Sequence, residues 1–158
     1  VCFVDYGSTA VVDVRKLRPL TADFFEVAPP LAVEMVLAFV KPPSEEQVHY
    51  HDCAAWFQEI SYGQTLRAQP YYREEGRLAV VLEATGEAGE VVNVNASMVE
   101  YGLCRALRRM AGSGTGKCPR ELEPAPLLEK LDSLQAQAKT GRTGMWRYGD
   151  ADSDDEGA

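Results

Sequence analysis

The chain has 158 residues, with 16 Lys and Arg against 24 Asp and Glu, a net charge of −8 and 46% hydrophobic residues. That length suits one domain, or a domain with an attached fragment, and the hydrophobic share is ordinary for a chain that buries a core. The acidic balance excludes a generic nucleic-acid sponge, which needs clustered Lys and Arg, and no apolar run approaches the roughly 20 residues of a membrane-spanning helix.

The opening Val1-Cys2-Phe3-Val4 leads into Asp5-Tyr6-Gly7-Ser8, and the β-branched run 9–14 follows, so it reads as strand, tight turn, strand. Gly7 is the residue that tolerates a positive φ there. Phe3 and Tyr6 beside the turn have two readings. One is cross-strand packing, the common use of such aromatics. The other is a mouth whose ring faces receive a cation without a hydrogen-bond partner for every proton. The chain starts inside this strand pattern without an initiator methionine, and is expected to be a C-terminal piece of something longer.

Pro19 stops the ladder, Thr21 caps a short helical turn through Phe24 and Phe25, and Pro29-Pro30 resets the chain to an extended path, so 21–30 reads as a linker. The apolar run 31–40, closed by Pro42-Pro43, predicts a buried strand. Glu34 breaks its pattern, either on the solvated face of an edge strand or opposite a basic partner. Ser44-Glu45-Glu46-Gln47 resembles a capping box and predicts a helix from there to about residue 61, with Val48, Ala55, Trp56 and Ile60 on one face and Gly63 past its end.

Strands are expected over 65–72 and 78–84 around the charged turn 73–76, with a further turn at 86–89 and a short strand at 91–92. Asn95 reads as the N-cap of a helix to about residue 101, ended by Gly102, and residues 103–107 as another strand. Asn95-Ala96-Ser97 also fits the N-glycosylation pattern, but nothing here supplies a secretory route and the cap is the better account. The Gly-rich segment 112–117 departs from a phosphate-binding loop, with Ala111 where Gly is required and Cys118 after Lys117, and reads as a loop. Pro124 and Pro126 start a helix through about residue 139, with Leu127, Leu128, Leu131, Leu134 and Ala138 as its apolar stripe and Gly141 as its stop. Trp146 and Tyr148 are expected to dock the last ordered turn.

Four cysteines, Cys2, Cys53, Cys104 and Cys118, lie far apart without a C-x-x-C pair, and His49 and His51 are the only histidines, so no metal site is expected. Free thiols fit a reducing compartment. Arg105, Arg108, Arg109, Lys117 and Arg120 form the one basic run, read either as a solvated strand end and loop or as an RNA-backbone contact. Five acids in the last nine residues predict a disordered tail over 150–158.

The order strand, helix, short antiparallel strands, small helix, strand, long helix is α+β, and the small barrel it suggests is of the OB kind. Phe3-Val4-Asp5-Tyr6-Gly7-Ser8 resembles the Phe/Tyr-x-Asp-Tyr-Gly-Asn hairpin of Tudor domains. With Ala32-x-Glu34 through Val40, Val99-Glu100-Tyr101-Gly102-Leu103, Ala136-x-Ala138-Lys139 and Trp146-Arg147-Tyr148-Gly149-Asp150 in the same order, almost the whole chain resembles the C-terminal end of Tudor staphylococcal-nuclease (Tudor-SN) proteins. The resemblance implies the end of a Tudor-type β-barrel at 1–20, a linker at 21–30, and a staphylococcal-nuclease-like OB segment at 31–149, together an extended Tudor module lacking its first strands.

By the same likeness Phe3 and Tyr6 fall on two aromatics of a cage for symmetrically dimethylated arginine. Ser8 falls where the family places an Asn that hydrogen-bonds the guanidinium. Methylation keeps the charge and removes donors, so ring faces suit it. Two departures stand out: Phe3 replaces the common Tyr, and Ser8 is shorter than Asn. The family also carries nuclease-like repeats, but the acids and arginines of that chemistry have no matching constellation here, so catalysis is assigned to repeats upstream and no catalytic residue or cofactor to this segment. The implied partners are symmetrically dimethylated arginine proteins, RNA and ribonucleoprotein complexes of gene silencing or splicing, with no membrane. The implied location is cytoplasmic with some nuclear presence.

Overall fold

The computed structural model describes residues 1–23, 31–86, 89–107 and 125–148. The chain divides into two compact units, Val1–Met35 and Val36–Ala158. The expected helical turn at Phe24 and Phe25, the Gly-rich loop 112–117 and the acidic tail lie outside the described residues.

In the first unit the chain makes the expected hairpin, but its ladder is one antiparallel bridge, Cys2 to Thr9. The predicted second strand over 9–14 is therefore wrong in length. Residues 1–11 are exposed, so neither face of the ribbon packs on an apolar layer, and a two-stranded ribbon without such a layer holds few rungs. A single 3-10 turn, Val14–Lys16, follows. Its N-cap Asp13 accepts from the Arg15 backbone N–H at 2.9 Å and pairs with the Arg15 guanidinium at 2.6 Å.

The second unit is built on β4 (Arg77–Thr85), whose consecutive Ala79, Val80 and Val81 are all buried, as a strand covered on both faces requires. It pairs antiparallel with β3 (Arg67–Glu74) through the two-residue turn Glu75-Gly76, where φ is +50° and +86°, the left-handed pair a type I′ turn demands. Along its other edge run β1 (Met35–Leu37) and β5 (Val91–Asn93), giving a four-stranded sheet. A separate antiparallel pair joins β2 (Val40–Lys41) to β6 (Arg105–Ala106).

The run 31–40 is thus two short strands, not one buried strand, with Leu31 and Val33 exposed. Phe39 breaks it with φ of +63°, a conformation a bulky residue adopts only when its surroundings impose it. Those surroundings are visible. The register slips between Pro70 and Tyr72 of β3, which turns the adjacent Tyr71 and Tyr72 toward Phe39. Their rings meet it edge-on at 5.1 and 5.5 Å, and the Phe39 N–H donates to the Tyr72 hydroxyl at 3.2 Å.

Helix α1 (Tyr50–Ser61) begins well after Ser44. The reach-back bond of the expected capping box does form, Ser44 N–H to Gln47 Oε1 at 3.0 Å, but it closes an isolated turn. Val48 is consequently exposed and off the helix, and Ala55 is exposed. The buried side is Cys53 with half-buried Trp56, Phe57 and Ile60, at i, i+3, i+4 and i+7. Gly63, at φ of +69°, follows its end as expected.

Helix α2 (Val94–Glu100) is capped by Asn93, whose side chain accepts from the Ala96 N–H at 2.9 Å. The expected cap, Asn95, lies inside the helix and is fully buried. It fills the gap between β1 and β5 on the edge of β4. Its Oδ1 accepts from the Leu82 N–H at 3.0 Å, and its Nδ2 donates to the carbonyls of Ala38 at 2.9 Å and Val80 at 3.1 Å. A side-chain amide thus replaces the strand residue missing from the ladder.

Helix α3 (Ala125–Gly141) lays Leu131 and Ala138 into the core with Leu127, Leu128 and Leu134 half-buried, the expected stripe. Gln135 shares that buried face and accepts from the Ala106 N–H of β6 at 2.7 Å. The left-handed residue after the helix is Arg142, at φ of +51°, not Gly141. A 3-10 turn, Gly144–Tyr148, then buries Met145 and Trp146, while Tyr148 is exposed and does not dock. The main core gathers Ala38, Phe39, Val40, Ala79, Val81, Val94, Met98, Val99 and Leu131, and a satellite joins Ala138, Met145 and Trp146.

Candidate functional site

The first unit offers the site, and its backbone explains the placement of each side chain. The Phe3 N–H donates to the Ser8 carbonyl at 2.8 Å, which sets these two residues opposite each other. The Phe3 carbonyl accepts from Tyr6 N–H at 3.0 Å and from Gly7 N–H at 2.7 Å, so the chain reverses over Val4 to Gly7. Gly7 completes the reversal at φ of +72°, and a Cβ there would already sit 3.4 Å from the Ala32 Cβ. The Ala32 N–H donates to the Val4 carbonyl at 3.0 Å, fixing the turn against the segment that leads out of the unit.

Phe3, Tyr6 and Ser8 are therefore brought onto one turn. None is absorbed into a core: Phe3 is 42% exposed, Tyr6 84%, and Ser8 is exposed. Within the described residues neither ring is taken up by the core. Asp5 adds an exposed carboxylate to the same turn. Asp13 is engaged elsewhere: its bonds from the Arg15 side chain and backbone hold its carboxyl below the ordinary carboxylate value.

The basic run fares differently. Arg105 lies half-buried in β6 with its guanidinium carbon 6.0 Å from the Trp146 ring centroid. Arg108, Arg109, Lys117 and Arg120 lie outside the described residues. Sequence reasoning missed Lys139, whose Nζ stands 4.4 Å from the same centroid, so two cations from β6 and α3 flank one buried indole. Among the described residues no group of three or more His, Cys, Asp or Glu side chains converges as metal ligands would.

The Tudor domain family model matches residues 1–38, the hairpin included. Two Arabidopsis thaliana proteins are similar across 99% of the chain: Ribonuclease TUDOR 2 at 29% identity and Ribonuclease TUDOR 1 at 27%. The chain spans only 16% of the length of either. Among solved structures, the extended Tudor domain of Drosophila melanogaster Tudor-SN (p100) superposes over 90% of the chain and 60% of its own, with a TM-score of 0.71 at 20% identity. The expected α+β architecture is thus that of an extended Tudor domain. The chain carries a Tudor domain match over its hairpin and is similar along nearly its whole length to the TUDOR ribonucleases, with the fold of the Tudor-SN extended Tudor domain.

Proposed function

We propose that this chain is a methylarginine-reading and scaffolding module of an RNA-associated Tudor-SN protein. The observation that carries the reading is the exposure of Phe3 and Tyr6 on a turn closed by backbone hydrogen bonds, within the residues matched as a Tudor domain. Two exposed aromatic faces suit a methylated guanidinium, which keeps its charge and loses donors. The second unit then serves as the scaffold, and symmetrically dimethylated arginine proteins, RNA and ribonucleoprotein complexes are the partners, in the cytoplasm with some nuclear presence. Binding would be measured by calorimetric titration of the protein with an Arg-Gly peptide, with and without symmetric dimethylation. The methylated peptide should bind more tightly, and Tyr6→Ala should weaken it by about 2- to 30-fold, the worth of one cation–π contact. Equal affinity for both peptides removes the reader and leaves the scaffold.

A second reading is favoured by the names of the relatives, both of which are ribonucleases. On it the chain is the non-catalytic part of an RNA-cleaving protein whose catalytic repeats stand upstream. RNA cleavage by the purified chain that stops on adding a calcium chelator would refute the non-catalytic assignment.

A further inference from the structure

The second unit contains a pair of sulfur atoms that the peptide-reading function does not use. Cys53, in the first turn of α1, and Cys104, immediately before β6, come from positions 51 residues apart and place their Sγ atoms 3.9 Å from each other. Both are free thiols, buried in the main core, with Cys53 5% exposed and Cys104 0%. Cys2, by contrast, is exposed on the hairpin. Among the described residues no group of three or more His, Cys, Asp or Glu side chains includes Cys53 or Cys104.

We propose that Cys53 and Cys104 form a redox modification site that takes a hydroperoxide and closes to an intramolecular disulfide. A closed bond needs the sulfurs about 2 Å apart, so the pair must approach by less than the width of one atom. Roles follow from position. Cys53 sits at the positive end of a 12-residue helix, which favours its thiolate, and it is the less deeply buried of the two. The hydrogen bond between the two thiols, in which either can donate, and burial push the Cys104 thiol up. Cys53 is the attacking sulfur and Cys104 the resolving one.

The chemistry balances. The Cys53 thiolate attacks one peroxide oxygen, the O–O bond breaks, and Cys53 becomes a sulfenic acid as hydroxide leaves. Cys104 sulfur then attacks the sulfenic sulfur, its proton goes to the departing hydroxyl, and water leaves. Two thiols lose two electrons and two protons in total, and one hydrogen peroxide becomes two waters. The product staples α1 to the strand pair that contains β6.

The test uses the full chain with Cys2→Ser and Cys118→Ser, which leaves only this pair. Titration with hydrogen peroxide should lower the intact mass by two hydrogens and abolish thiol labelling after unfolding. Non-reducing peptide mapping should give a single Cys53–Cys104 cross-link. The melting temperature should rise by several degrees and return with dithiothreitol, as expected for a closed loop of this length. Adding Cys104→Ser should stop the reaction at a dimedone-reactive sulfenic acid on Cys53. Oxidation straight to sulfinic acids without the cross-link, or retention of both labels at peroxide levels that consume free cysteine, overturns the proposal.

Discussion

Asn95→Ala removes the amide that completes the ladder on the edge of β4. Three hydrogen bonds of 2.9 to 3.1 Å disappear at a fully buried position. The Val80 carbonyl keeps its bond from the Ala38 N–H at 2.7 Å, so the groups orphaned are the Leu82 N–H and the Ala38 carbonyl. Each buried orphan costs about 1–3 kcal/mol, and alanine returns about 0.5 kcal/mol of helix propensity, giving a net loss of about 2–5 kcal/mol. Urea unfolding followed by circular dichroism reads this as a lowered midpoint at unchanged slope. Asn95→Asp is sharper: it retains the acceptor for Leu82 but aims a second acceptor at two carbonyls. Burial without a donor raises the carboxyl pKa of the folded state, so the folded form binds the extra proton and stability rises as pH falls toward the ordinary carboxylate range. A loss below about 1 kcal/mol in Asn95→Ala refutes the ladder-completing role.

Further outcomes follow from individual positions. Gly102 has φ of +65° and a Cβ there would run into the Thr143 carbonyl, whereas Gly76, at +86°, has nothing within 4 Å. Thermal melts should therefore show Gly102→Ala losing about 2–5 kcal/mol and Gly76→Ala about 1 kcal/mol. Asp13 should titrate by NMR below the ordinary carboxylate range and return to it in Arg15→Ala. Because its folded-state pKa is depressed, what it contributes is present above the unfolded value and lost as pH falls through the folded one. Ser8→Asn restores the longer polar side chain of the family pattern, and a titration with the dimethylated peptide should show affinity rising, by up to about tenfold for one solvent-exposed hydrogen bond.

Local chemistry was the legible part. Glu75-Gly76 carries its turn in two residues, and the 127–138 stripe carries its helix in a period, so neither depends on distant partners. Gln135 was readable too: it stands four residues after Leu131 and three before Ala138, on the apolar face. Asn95 was not. A helix follows either Asn93 or Asn95 with equal local sense, and only a gap in a sheet, bordered by a residue 57 positions away, makes one the cap and the other a sheet member. Phe39 likewise takes a left-handed conformation that its own neighbours do not announce, because Tyr71 and Tyr72 impose it from another strand. The capping box at Ser44 shows the opposite failure, a local bond correctly read but spent on a turn. At the candidate site the aromatics were legible from the hairpin pattern, and their exposure was what the sequence left open between packing and binding.

The most direct measurement of the central claim is NMR shift mapping of the protein during titration with a symmetrically dimethylated Arg-Gly peptide. The account predicts saturable shifts at the Phe3 and Tyr6 rings and the Gly7 and Ser8 amides, absent with the unmethylated peptide, while the buried Trp146 indole stays unmoved. Shifts confined to the second unit, or identical with both peptides, would contradict it.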